Sequence, residues 1–354
     1  MENTATVDRN TRIDAARFVG FCAVVLLHVS SVDAGRIFGW LGVVNGATRF
    51  AVPMFFMMTG YLLANSSRSP WQIVSRYVRR LLPVFVFWEL LYYLFDIFVS
   101  GLRGDSAPLV SPWQEALQIV FTGGLAFHLW YIPWLLVTVA IFAWLRAWLT
   151  PSLVFAVAAA AFLIGLAIGP YNIESGLLPY LSRMMDSPES FDARDTPFFG
   201  LLFMWFGSFV ATAGAIRRSS CLLLGLIALF GFGLQFGESL LIVIRSADAG
   251  HLKSGSFDVL FGTAIYSGAV FLLLLRYFPL KLADRLAPLG RYALGMYCLH
   301  AFFILLVSQG DLKFLSINGM NVPERLGLAA AVIAVTTVSL LAIARIPGSR
   351  RFLR

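Results

Sequence analysis

Long continuous apolar runs, separated by short breaks rich in Arg, Lys, Pro or Gly, recur along the whole chain. They fall near 13–33, 40–64, 81–100, 127–148, 152–169, 197–216, 221–243, 257–278, 291–309 and 325–345. Runs of about 20 apolar residues match the hydrocarbon thickness of a bilayer when coiled as helices. Lipid offers backbone groups no hydrogen-bond partner, and these runs are continuous rather than alternating. The pattern therefore predicts helices and not barrel strands. The expected fold is all-α, one polytopic membrane domain over 1–354 with about ten transmembrane helices. Ten crossings place both termini on one side. No heptad, internal repeat or low-complexity tract interrupts the pattern.

Composition supports this reading. With 59% hydrophobic and 13% charged residues, and a mean hydropathy of +0.79, the chain holds more apolar side chain than a soluble domain buries. Most of the 27 Lys and Arg residues lie in alternate breaks that share a side with the termini, among them Arg9, Arg12, Arg17, Arg68, Arg76, Arg146, Arg217, Lys281, Arg291 and Arg351. Cytoplasmic loops carry that excess, so both termini are expected in the cytoplasm of a multi-pass plasma (inner) membrane protein. The pI near 9.7 then reflects topology and attraction to anionic membrane lipids, and no nucleic-acid partner is needed. The opposite loops, near 101–126 and 170–196, collect acids such as Glu174, Asp186 and Asp192. Met1 to Asn10 is polar and lacks a cleavable signal pattern, so the first run is expected to be retained. Cys22, Cys221 and Cys298 sit singly in apolar runs, which predicts neither a disulfide framework nor a metal site.

An ionisable side chain inside a span is costly unless paired or facing water, which makes it a functional candidate. The candidates are Arg17, His28, Arg49, Glu89, Asp96 and His300, with His128 at a helix entrance. Arg17 and His28 are eleven steps apart, about 20° from a common face and roughly 16 Å apart along the axis. A phosphate-bearing donor could touch Arg17 while its reactive end approaches His28; equally, Arg17 could set topology and His28 could bond a neighbouring helix. Arg76, Arg79 and Arg80 present guanidiniums suited to phosphates. As a positive-inside anchor they would need no ligand. Glu89 and Asp96, seven apart, share a face and could orient His28 as a general base. Alternatively Glu89 neutralises Arg49. His128 begins an aromatic interfacial segment, His128-Leu129-Trp130-Tyr131, and His300 lies half-way across the ninth run.

Taken together, these segments resemble the acyltransferase 3 family of membrane acyltransferases. Arg12-Ile13-Asp14 with Arg17 and His28 resembles its first helix. Arg49-Phe50-Ala51-Val52-Pro53 with Thr59-Gly60-Tyr61 resembles its second. Arg76, Arg79, Arg80 and Pro83 match the Arg-x-x-Arg entry to the third, and His128 to Tyr131 and Gly295 to His300 resemble two more signatures. Thr59, Ile132 and Ala301 depart from the usual residues without removing a proposed catalytic group. The resemblance implies a stand-alone membrane O-acyltransferase using acetyl-CoA or another acyl-CoA, without a metal. Its acceptor would be a hydroxyl of a surface glycan or lipid-linked sugar. Arg17, Arg76, Arg79 and Arg80 would hold CoA. His28 would be catalytic with Asp96 or Glu89, and Arg49, Tyr61, His128, Trp130 and His300 would contact substrate. Two other readings remain at this point: a secondary transporter relaying through Arg49, Glu89 and Asp96, and a membrane sensing module without turnover. The sequence leaves the acyl group, the acceptor and a homodimeric state open.

Overall fold

The computed structural model describes residues 11–30, 39–103, 126, 128–171, 194, 196–213, 220–246, 258–309 and 320–353. Among them every regular element is a helix. In chain order these are α1 Thr11–Val29, α2 Trp40–Thr48, α3 Ala51–Leu63, α4 Pro70–Arg103, α5 Tyr131–Trp148 and α6 Pro151–Ile168, then α7 Pro197–Thr212, α8 Cys221–Ser246, α9 Phe261–Tyr277, α10 Leu280–Gly290, α11 Ala293–Gln309 and α12 Val322–Ile343, with a closing 3-10 turn, Ser349–Phe352. The long loops expected near 101–126 and 170–196 lie almost entirely outside the described residues.

Among the described residues six helical segments are long and apolar enough to cross a membrane, α2 and α3 counting together as one (Trp40–Leu63), and a seventh crossing is counted if the bent pair α9–α10 is one span. The helices α7 and α11 are apolar but shorter. Thr11–Val29 is long enough, yet its first two turns carry Arg12, Asp14 and Arg17. Each run expected from the sequence contains a helix, but the boundaries differ in instructive places. The second run is broken into α2 and α3 at Arg49 and Phe50, because Pro53 has no N–H to return to the Arg49 carbonyl. The third begins at Pro70, not 81. Ser69 and Gln72 cap it reciprocally, with Gln72 N donating to the Ser69 hydroxyl at 3.3 Å and Ser69 N to Gln72 Oε1 at 3.0 Å. The helix therefore starts eleven residues before the apolar run and carries Arg76, Arg79 and Arg80 on its first turns. Where the hydropathy pattern predicts only a break between the eighth and ninth runs, α10 is an amphipathic helix turned 112° from α9.

α1 is the hub, packing against α2, α3, α9, α10, α11 and α12. Polar contacts fix both its ends. Arg12 donates to the carbonyls of Leu275 and Phe278 at the end of α9, both at 3.1 Å. At the other end Asn45 donates to Leu27 O and the buried Arg325 to Val29 O, at 3.0 and 3.2 Å. Cations are favourable beside these helix C-termini. A second layer packs α7 on α3, α5 and α6. There Gly60 faces the Met204 carbonyl and Gly207 faces that of Met57; a Cβ at either would stand 1.8 Å from the oxygen. Only glycine permits that backbone approach, the usual route to tight helix pairs in lipid.

Candidate active site

At the end of the bundle where α4 begins, a cavity of about 140 Å³ is enclosed by α1, α3, α4, α5 and α11. Apart from Thr59, its polar lining is basic and aromatic: Arg17, Arg80, Arg291, Tyr77, Tyr131 and Tyr297. Phe55, Met58, Leu62, Leu81, Leu135 and Leu294 supply the apolar wall. Arg80 continues outward into a groove with Arg68 and Arg76, and into a wider surface depression with Arg79 and Trp71. The arginines thus form a path from the surface to the cavity. Arg17 is aimed by Asp14, whose carboxylate it meets at 2.8 Å. Asp14 is 4% exposed, and Gly290 packs so closely on its carbonyl that a Cβ would sit 1.7 Å away.

Behind the cavity three of the four histidines of the chain converge. His28 of α1 stacks on His300 of α11, ring centroids 5.4 Å apart and planes 25° from parallel. His128, from the turn before α5, meets His300 edge-on at 5.2 Å. Tyr92 of α4 packs on His128 at 5.1 Å and donates its hydroxyl to the Cys298 carbonyl at 2.7 Å. Nε2 of His128 bonds the same carbonyl at 3.2 Å. Nδ1 of His300 bonds the Tyr297 carbonyl. A carbonyl only accepts, so Nδ1 carries the hydrogen and the neutral ring presents its lone pair at Nε2. That nitrogen is buried and has no hydrogen-bond partner among the described residues. No set of three or more His, Cys, Asp or Glu side chains among those residues has metal-binding geometry.

The structure groups the expected residues unevenly. Arg17 and Arg80 line the cavity, with Arg76 and Arg79 on the approach, while His28, His128 and His300 form the cluster behind it. Glu89 is buried, one turn from Tyr92 on α4. Asp96 is not brought to the histidines: it lies on an exposed stretch of α4 with Leu94, Ile97 and Phe98. The acid on Arg49 is Asp258, which also pairs with Arg194 at 3.1 Å; Asn45 holds Arg49 from below. Arg194 in turn lies over the Trp130 ring at 5.2 Å. Tyr61 packs edge-on against Phe271 at 6.4 Å, away from the cavity. The sequence pattern does not single out Tyr77 or Asp258, gives Arg291 only a topological part, and includes Tyr131 and Tyr297 only as neighbours of His128 and His300 in the quoted segments. Aromatic residues are common in every apolar run here, so only their convergence distinguishes them.

A sequence profile described as an acyltransferase domain matches residues 10–344. Two curated relatives are bacterial. A serine/alanine racemase of Enterococcus gallinarum is 27% identical over 164 residues, 45% of this chain and 23% of the relative. An amino-acid racemase of Enterococcus faecalis is 25% identical over 306 residues, 84% of this chain and 42% of the relative. The chain therefore spans less than half the length of either relative. No solved structure matches. With nearly its whole length covered by the profile, and with all-helical architecture and several apolar helices of spanning length, the chain belongs to the acyltransferase 3 family of membrane acyltransferases.

Proposed function

We propose that this protein is an O-acyltransferase that takes an acyl group from a cytoplasmic acyl-CoA, acetyl-CoA above all, and delivers it to a hydroxyl of a surface glycan or lipid-linked sugar. One observation carries the reading. A path of arginines leads into a cavity whose inner wall backs directly onto an imidazole cluster containing His28. Arg76, Arg79 and Arg80 take the CoA phosphates and Arg17 extends the basic entrance, because forked guanidinium donors match phosphate oxygens. His28 acts at the acyl carbonyl, as base on the acceptor hydroxyl or as transient acyl carrier. Where His28 carries the acyl group, Nε2 of His300 accepts the hydrogen bond of the acceptor hydroxyl, and Glu89, rather than the exposed Asp96, is the supporting acid. The protein crosses the plasma membrane ten times with both termini in the cytoplasm.

The transporter alternative draws less support. Its relay would run through Arg49, Glu89 and Asp96, yet Arg49 is in an ion pair with Asp258 and Asp96 faces outward. The relatives' names point to amino acids, so serine, with its hydroxyl, belongs among the acceptors tested. The deciding experiment supplies radiolabelled acetyl-CoA to purified protein in liposomes with membrane glycolipid extract or serine, with His28→Ala as control. Label should enter an acceptor only with intact His28. Transfer that survives His28→Ala in folded protein removes the mechanism, and uptake of label without a covalent product moves the reading to a transporter.

A further inference from the structure

Tyr297 stands between the cavity and two of the three histidines, His128 and His300. Tyr297 lines the cavity on one face, and its other side lies against His128 at 5.6 Å and His300 at 5.9 Å. Its hydroxyl donates to the His128 backbone carbonyl, which ties the ring to the turn before α5. Tyr131 extends the same wall, 5.8 Å from Tyr297 and nearly perpendicular to it. Tyr131 is itself braced by Phe56 at 5.1 Å and Phe55 at 5.9 Å. Both tyrosines are buried, at 6% and 7% exposure, in a core too densely packed to yield readily.

From this geometry we infer that Tyr297 is the specificity-determining residue for the donor and restricts it to short acyl groups of about two carbons. The inference rests on the acyl-CoA reading above. A thioester entering from the arginine path must bring its carbonyl to the edge of the wall to meet His28, which stacks on His300 beyond it. A methyl group needs little room there. A longer chain would compete for the volume filled by the Tyr297 ring, because the neighbouring Tyr131 is braced by Phe55 and Phe56. Size selection of this kind is worth roughly 10- to 200-fold for a single methylene in a well-fitted pocket.

The test uses donor analogues alone, so no acceptor need be known. Binding of S-ethyl-CoA and S-butyl-CoA, thioethers that cannot be cleaved at a carbonyl, is measured on wild type, Tyr297→Phe, Tyr297→Leu and Tyr297→Ala in detergent micelles. Wild type is expected to prefer the ethyl analogue by at least about tenfold. Tyr297→Phe keeps the ring and the preference. Tyr297→Ala, or Tyr297→Leu where the alanine variant does not fold, brings the ratio within about threefold or reverses it. The inference is overturned by a wild type that binds both analogues alike, or by a folded leucine or alanine variant that retains the preference. Binding of both analogues without selectivity removes this inference and leaves the acyl-CoA reading standing. Binding of neither analogue overturns both together.

Discussion

Arg80 occupies a position that Arg76 and Arg79 do not. It lines the cavity, the groove and the outer depression, whereas Arg76 lines the last two and Arg79 only the outermost. A donor phosphate held along this path should therefore feel the three unequally. Substitution by alanine is expected to raise the KM for acyl-CoA in the order Arg80, Arg76, Arg79, with the largest effect about tenfold or more, the worth of a charged hydrogen bond. Equal effects would remove the predicted order, and no effect at any of the three would show that the cluster is only a topology anchor. His300 allows a second test at one atom. Asn at this position retains a donor for the Tyr297 carbonyl and lacks the Nε2 lone pair. His300→Asn should leave thermal stability in detergent unchanged while kcat/KM falls by roughly ten- to a hundredfold. A variant that keeps full activity would reduce His300 to a packing residue. Sequence reached Arg17 and His28 through a simple register of eleven residues. It could not reach the stacking of His28 on His300, which joins positions at opposite ends of the chain.

The helices were legible where chemistry marks their ends. Thr150-Pro151, Thr196-Pro197 and the Asn321 to Glu324 capping box each begin a helix within three residues of the expected run. Legibility failed where hydropathy and helicity part company. The arginines at the start of α4 lower the apolar average without breaking the helix, and α10, with Lys281, Asp284 and Arg285 exposed, has the composition of a loop. Helix pairing was less visible still, since glycine marks close approach only when its partner is known. Gly60 and Gly207 make that approach reciprocal between α3 and α7. Alanine at either position would strike a backbone oxygen that no rotamer change can move, so Gly60→Ala and Gly207→Ala should each destabilise the protein by about 1–3 kcal/mol. Gly225, where an added methyl would meet nothing within 4 Å, is the control. Its alanine variant should be neutral or stabilised by up to about 1 kcal/mol. Thermal unfolding in one detergent compares all three, and an unaffected Gly60→Ala would mean that α3 and α7 are not locked as described.

At the scale of the whole molecule, one end of the bundle gathers features far apart in sequence. Arg12, near the start of α1, holds the last carbonyls of α9 at the bend into α10. Gly290, at the end of α10, rests on Asp14. Leu353 accepts a hydrogen bond from Gly295 N at 3.3 Å, and the closing 3-10 turn packs on α4. The basic cavity opens among these same residues. The start of α1, the C-terminal turn and the arginine path are thus held on one side by contacts independent of any count of crossings. On the proposed topology, which rests on the charge asymmetry of the sequence, that side is the cytoplasmic one, where acyl-CoA is found. The consequence is a sidedness that can be measured. In a background with Cys22, Cys221 and Cys298 replaced, a cysteine at exposed Arg351 should resist a membrane-impermeant maleimide in intact cells and react after permeabilisation. A cysteine at exposed Trp40, at the opposite end of α2, should react in intact cells. Reversed labelling would turn the arginine path away from the cytoplasm and deny it the donor. Labelling of both sites from outside would break the contacts that tie the C-terminal turn to the cavity, and with them the argument that the path and the termini share one face.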